Sequence, residues 1–295
     1  MKKAIENKGP FTRPASFKHP FIRRRVKKFR YYTARIRLLP DFLIVGAQKC
    51  GTTSLYNYLA QHPCVAPAWR KEVRFFNVQY VSKSIAWYRA QFPSSLYKFC
   101  MKITRGQDVI TGEATPGYIS HPHAPKRIFE TIPQVKLIVL LRNPVDRAYS
   151  HYQHAVLLGK ETLSFEEAIE AEPERLRGEK EKMMEDESYN SFYYGNCSYL
   201  SRGIYVDQLK VWLNLFPKEQ ILILNSENFS SDPPTTFRRV LEFLNLPGWE
   251  CKEYERFNTL SYSKMHPTTR KKLVDYFAPH NQRLYELIGQ QYQWA

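Results

Sequence analysis

At 295 residues, with 43% apolar and 15% aromatic side chains, the chain can bury a full core, as one large α/β domain or two small ones. No apolar run approaches the roughly 18 residues a membrane span needs, and the first residues lack the apolar centre of a secretory signal. The net charge of +16 is unevenly placed: residues 1–40 hold thirteen Lys/Arg and one acid, Glu6, which leaves the rest of the chain only mildly basic. Five scattered cysteines, Cys50, Cys64, Cys100, Cys197 and Cys251, form no CxxC pair and point to reduced thiols in a cytoplasmic setting.

Residues 1–38 read as a flexible basic leader, because Pro10, Pro14 and Pro20 oppose early regular structure. Within it, residues 23–37 (RRRVKKFRYYTARIR) form a charge block. By charge alone it suits an anionic membrane surface, a polyanion or nucleic acid, and equally a solvated face. Nothing in it specifies a nucleic acid.

Residues 39–295 read as the working domain. It opens on PDFLIVGAQKCGTT, Pro40 to Thr53. Phe42 to Val45 form a continuous apolar run, as a strand buried on both faces does. Gly46 ends the run, and Leu55, Tyr58 and Leu59 recur at helical spacing after it. Strand, tight loop and helix in that order place backbone N–H groups and a helix dipole around a candidate anion site. The spacing is close to that of a nucleotide-triphosphatase phosphate loop, but Thr52 stands where that motif has lysine and the cation has moved to Lys49. A plain glycine turn fits the same residues.

Pro63 and Pro67 mark an irregular stretch, followed by WRKEVRFFNVQY and the amphipathic SIAWYRAQF. DVITGEATP reads as a short strand, HAPKRIFETI as a helix and VKLIVLLRNP as a second buried strand, with the helix VDRAYSHYQHAVLLG after it. Residues 160–200 are charged and then polar-aromatic, as an insertion or lid over a site would be. IYVDQLKVWLNLF reads as a helix, QILILNSENF as a buried strand and TTFRRVLEFLNL as a helix. A last helical stretch is interrupted at Pro279. Strands alternating with helices predict an α/β three-layer sandwich on a parallel sheet, with ligands at the carboxyl ends of the strands.

LIVLLRNPVDRAYSHY supplies a second candidate anion site: Arg142 at a strand tip and Ser150 two turns into the next helix can share one phosphate. An ion pair from Arg142 to Asp146 is the plainer alternative. A triphosphatase would want an acidic residue at such a tip to help hold Mg²⁺, and here the tip is Arg142.

The pair QKCGTT and LRNPVDRAYSHY, in this order, resembles the sulfotransferases that use 3′-phosphoadenosine 5′-phosphosulfate (PAPS), nearest the heparan sulfate N- and 3-O-sulfotransferase branch. KEVRFFN, IAWYRAQFP, GEATPGYISHPHAPKRI and SKMHP agree, so the resemblance runs from about Pro40 to Trp294. It implies a phosphosulfate held by Lys49 and the backbone of Cys50, Gly51, Thr52 and Thr53. It implies a 3′-phosphate held by Arg142 and Ser150, with Lys264 closing over the nucleotide. Glu72 falls on the family's catalytic base, Lys49 beside the leaving oxygen, and Arg74 near the acceptor. GEATP and SKMHP depart from the family at Ala114 and Met265, where it has lysine and glycine.

The implied activity is in-line sulfuryl transfer from PAPS to a hydroxyl or amine of a saccharide or glycan-like acceptor, with no metal. The alternatives are a non-catalytic nucleotide- or polyanion-binding protein, and a kinase on the same architecture. Three acids compete for the base, Glu72, Glu113 and Asp146, and the cations Lys71 and Arg74 that keep Glu72 ionised favour it.

Overall fold

The computed structural model describes residues 20–255, 257 and 262–294. The first nineteen residues of the leader lie outside them. Five strands, β1 (Phe42–Gly46), β2 (Val65–Pro67), β3 (Ile110–Ala114), β4 (Lys136–Leu141) and β5 (Ile221–Asn225), form one parallel sheet in the order β2-β3-β1-β4-β5. Every residue of β1 is buried. Successive side chains of a strand point to opposite faces, so both faces are covered and the domain has three layers. The expected α/β architecture is the observed one.

The helices are α1 (Pro20–Tyr32), α2 (Thr52–Gln61), α3 (Ile85–Arg89), α4 (Ser95–Arg105), α5 (Ala124–Thr131), α6 (Pro144–Leu157) and α7 (Phe165–Leu176). They continue with α8 (Glu179–Glu185), α9 (Phe192–Asn196), α10 (Tyr205–Leu213), α11 (Ser226–Ser231), α12 (Pro233–Phe243) and α13 (Pro267–Ile288). The main core packs β1 and β4 against Leu55 and Leu59 of α2, Leu209 and Trp212 of α10, and Phe237 and Leu241 of α12. The sheet order decides where a ligand can sit. From β1 the chain builds β2 and β3 on one side, then returns to place β4 and β5 on the other. The loops leaving β1 and β4 therefore diverge and open a crevice between the two strand tips.

Four segments differ from the sequence reading. The leader is helical from Pro20, because proline in a first turn lacks only a hydrogen bond that no helix makes there. Its helix is fastened to the body: the Arg30 guanidinium donates to Ala90 O (2.7 Å) and Phe92 O (2.8 Å) and lies over the Trp69 ring. Burial and the neighbouring Arg37 push Arg30 down to about 10. The irregular stretch at Pro67 contains the edge strand β2, where a missing donor can face outward. Helix α4 has no counterpart in the sequence reading, and α13 runs through Pro279 unbroken. A proline in a helix interior costs about 3 kcal/mol, and burial of Leu273, Phe277 and Leu284 along α13 offsets it.

Within residues 160–200 lie α7, α8 and α9. Glu161 inside this segment is held down to about 2: burial pushes its carboxyl up, but hydrogen bonds from Arg175 (2.6 Å), the Leu163 amide and Tyr199 (2.9 Å) outweigh it. Ties reach the body from Tyr194 to Ser120 O (2.6 Å), Glu187 to Arg127 (2.9 Å) and Met183 O to His123 (2.6 Å).

The tightest packing of the sheet is testable at Gly112. A Cβ there would stand 2.5 Å from the Phe42 ring on the paired strand β1. Gly112→Ala should cost about 1–3 kcal/mol by overpacking. Urea unfolding should show a lower midpoint with the same slope. An unchanged midpoint would contradict this packing.

Candidate active site

The loop after β1 is shaped by backbone before side chains enter. Gly51 adopts φ 87° and is the N-cap of α2, with no side chain capping that helix end. Amides at the start of a helix point outward along its axis, where the dipole favours an anion. Thr52 is buried at this terminus, and Cys50 is buried inside the loop with its thiol pushed up to about 11 by burial. Cys50 thus contributes backbone and packing, and no thiolate. Lys49 takes φ 72°. Burial and the charge of Arg142 both lower its pKa.

Arg142 leaves the tip of β4 and donates to Lys49 O at 3.3 Å. The expected alternative partner, Asp146, pairs instead with Arg270 at 2.6 Å. Among the described residues neither Lys49 nor Arg142 has a carboxylate within ion-pair distance. Two unneutralised cations at adjacent strand tips form a receptor for a multiply charged anion. Tyr205 fixes the geometry by donating to Arg142 O at 2.9 Å.

Ser150 is buried on α6, the helix that follows Arg142. Lys264 is exposed, in the segment before α13. Tyr262 packs edge-on against Tyr149 at 5.5 Å, and Met265 packs against the second apolar cluster, to which Val145 and Ala148 of α6 belong. These contacts run the Lys264 segment alongside the helix that carries Ser150. The structure thus brings the sites of residues 49–53, 142, 150 and 264 to one end of the sheet.

The KEVRFF segment is stitched to the end of β3. Glu72 N donates to Ala114 O (3.1 Å), Val73 N to Glu113 Oε2 (3.2 Å) and Arg74 N to Thr115 Oγ1 (3.3 Å). Glu72 and Arg74 both lie in the left-handed region, φ 56° and 58°, around a fully buried Val73. Both side chains then meet outside: Arg74 Nη2 lies 2.9 Å from Glu72 Oε2, and Lys71 Nζ 3.2 Å from Oε1. Burial raises the Glu72 pKa, but Lys71 and Arg74 lower it more, so the carboxyl titrates below the ordinary glutamate value. His154 on α6 sits within electrostatic reach of Lys49 and Glu72, and its pKa is lowered by burial and then by Lys49.

Glu113 does not face a substrate. It is fully buried and accepts from Thr115 (2.7 Å), Tyr88 (2.9 Å) and Tyr118 (3.0 Å) besides Val73. Burial raises its pKa. Of the three acids considered, Glu113 is enclosed and Asp146 is engaged by Arg270 of α13, whereas Glu72 is held ionised on the rim between Lys71 and Arg74.

Two basic residues of this region escaped the sequence reading. Arg202 donates to Gln48 Oε1 in the donor loop and to Tyr194 O in the helical insertion, both at 2.8 Å. Arg147 is fully buried and donates to Tyr199 O. Spacing gives no warning of Arg202, which lies 154 residues from Gln48.

Such an arrangement suits an enzyme that moves a charged group from a nucleotide to an acceptor: an anion loop at a topological switch point, a second cation beside it and an ionised carboxylate on the segment stitched to the end of β3. The sulfotransferase domain model matches residues 39–281. The chain is 29% identical to the membrane-associated sulfotransferase kil1 of Dictyostelium discoideum, over 88% of this chain and 67% of that protein. It is 30% identical to heparan sulfate glucosamine 3-O-sulfotransferase 3B1 of Mus musculus, over 87% of this chain and 65% of that protein. It is 31% identical to bifunctional heparan sulfate N-deacetylase/N-sulfotransferase 3 of Homo sapiens, over 85% of this chain and 30% of that protein. The sulfotransferase from Alicyclobacillus acidocaldarius superposes with a TM-score of 0.66 at 31% identity, covering 86% of this chain and 98% of that one. This chain belongs to the sulfotransferase family, whose donor is PAPS.

The charge state of Glu72 fixes a pH profile if it is the base. A carboxyl held below the ordinary value of 4.5 is ionised throughout the neutral range and gains its proton only as pH falls beneath that value. The acid limb of kcat/KM should therefore lie below pH 4.5, or below the onset of unfolding if that comes first. An acid limb near neutrality in folded protein would assign the base to another group.

Proposed function

We propose that this chain transfers the sulfuryl group of PAPS to a hydroxyl or amine of a glycan. What carries the reading is the pair of cations, Lys49 and Arg142, at the tips of β1 and β4, which have no carboxylate partner among the described residues. PAPS carries phosphates at two places, and two separate anion sites match it. In this reading the 5′-phosphosulfate lies on the amides of Cys50, Gly51, Thr52 and Thr53, with Lys49 on the bridging oxygen. Arg142 and Ser150 take the 3′-phosphate, and Lys264 closes over the nucleotide.

Transfer breaks the bond from sulfur to the bridging oxygen and forms one from sulfur to the acceptor atom. Negative charge grows on the leaving phosphate, where the Lys49 ammonium stabilises the transition state more than the ground state. Glu72 takes the proton of the acceptor, and Arg74 holds the acceptor beside it. Each step is carried by side chains, and we propose that no metal takes part. A glycan is favoured because the named relatives include sulfotransferases of heparan sulfate, and because Lys71, Arg74 and Arg202 make a basic surround for a charged saccharide. Residues 39–295 form the catalytic domain in this reading. Residues 23–37 place it on an anionic cytoplasmic membrane surface, in keeping with the name of the Dictyostelium relative.

Arg142→Ala should weaken adenosine 3′,5′-bisphosphate by about 2–5 kcal/mol, as loss of a desolvated charge partner does. Calorimetric titration reads it, and unchanged affinity would remove Arg142 from the donor site. Glu72→Gln keeps shape but cannot take a proton. Its turnover should fall about a hundredfold or more, with bisphosphate affinity little changed. A nearly fully active Glu72→Gln would refute its role as base. Activity should also survive EDTA, whereas loss restored by Mg²⁺ would bring a metal into the mechanism.

A further inference from the structure

Helix α4 is built inside out. It is well formed, with Ser94 Oγ capping its start by accepting from Tyr97 N (3.2 Å) and Gly106 ending it in the left-handed region. Yet none of its residues is buried. Its charged Lys98 turns toward the body and pairs with Asp108 at 3.3 Å. Leu96, Phe99, Cys100 and Ile103, spaced i, i+3, i+4 and i+7, form one stripe on the outer face. Leu96, Phe99 and Ile103 are 62%, 59% and 67% exposed.

The neighbouring α1 repeats the pattern. It exposes Phe21, Phe29 and Tyr32 among the exposed Arg23, Arg24, Arg25, Lys27 and Lys28. The two helices spring from one joint, the 3-10 turn Ala34–Ile36. Ser95 Oγ donates to the carbonyl of Ile36, itself an exposed apolar residue, and Arg37 bridges to Ser94. Neither helix contains an acidic residue, and Lys102 and Arg105 extend the charge along α4.

We propose that α4 inserts its apolar stripe into an anionic lipid bilayer, with α1 lying beside it on the headgroups. Apolar side chains mixed with cations and no acids are complementary to acyl chains beneath anionic headgroups. A second copy of the chain fits less well. It would bring like charges together, and three exposed side chains fall far short of the roughly 1,200 Å² a stable interface buries. The inference rests on the membrane reading of residues 23–37 and adds an element that reading lacks. α4 ends at the start of β3, so insertion there leaves the carboxyl ends of the strands, and the donor loop, at the opposite edge of the sheet.

Cys100 lies in the stripe and is exposed, while the other four cysteines are buried, so one environment-sensitive fluorophore can be placed there in the full chain. Vesicles of phosphatidylcholine with phosphatidylserine should shift its emission to the blue, and phosphatidylcholine alone should not. Without the label, Phe99→Ser/Ile103→Ser should weaken cosedimentation with the anionic vesicles about tenfold or more, as loss of buried apolar area predicts. Turnover of a small soluble acceptor should not change. If the chain sediments with vesicles but the label stays in water, the α4 proposal falls and the membrane reading of residues 23–37 stands. If neither binding nor shift occurs at low salt, both fall. A shift that needs no vesicles and follows dimer formation would make the occupant a second copy and overturn the proposal.

Discussion

Everything at the candidate site follows from placing two cations together with no counter-charge among the described residues. Lys49 and Arg142 belong to different strands, yet the switch in strand order sets β1 beside β4 and brings their tips side by side. Each cation makes the other less comfortable, and burial adds to the cost at Lys49. A donor that brings one anionic group to each cation relieves both terms. Part of the stability given up in the protein is thereby recovered as binding free energy. The same arrangement suits a reaction in which negative charge grows on the leaving group, because donors already oriented need no rearrangement during the step.

The end of β3 shows how one short stretch separates two carboxylates by environment. Glu113 is buried among hydroxyls and an amide, and burial raises its pKa. Glu72 stands on the rim between Lys71 and Arg74 and stays ionised. Opposed environments of this kind commonly mark opposed roles. Here the buried acid holds Val73, and so positions the segment that presents the rim acid.

Much of this was legible in the sequence because it is local. Continuous apolar runs announce β1, β4 and β5 as buried strands, with Gly46 closing the first into a loop, and DVITGEATP announces the shorter β3. What was missed depended on distant contacts. Pro279 was read as an interruption, but packing along α13 overrides local propensity. Arg142 and Asp146 are four apart and suggested a pair, but Arg270, from another helix, takes the acid. Glu113 was read as able to face an acceptor, since a sequence does not reveal that Tyr88 and Tyr118 close over it. Helix α4, by contrast, has a local signal, since Leu96, Phe99, Cys100 and Ile103 recur at helical spacing; only the outward direction of the stripe is beyond the sequence.

Backbone conformation was wholly outside the reach of sequence pattern, and it is concentrated at the site. Among the described residues, non-glycine positions with positive φ are Lys49, Glu72, Arg74 and Asn245. Three of the four bear the charges discussed above. Such conformations cost on the order of 1–3 kcal/mol each and persist only where surroundings over-determine them. For residues 72–74 the surroundings are visible: three successive amides are each taken by an acceptor at or just beyond the end of β3, and Val73 is locked in the core. With Val73 held inward and the three amides engaged, the Glu72 carboxylate and the Arg74 guanidinium meet above the strand ends, 2.9 Å apart.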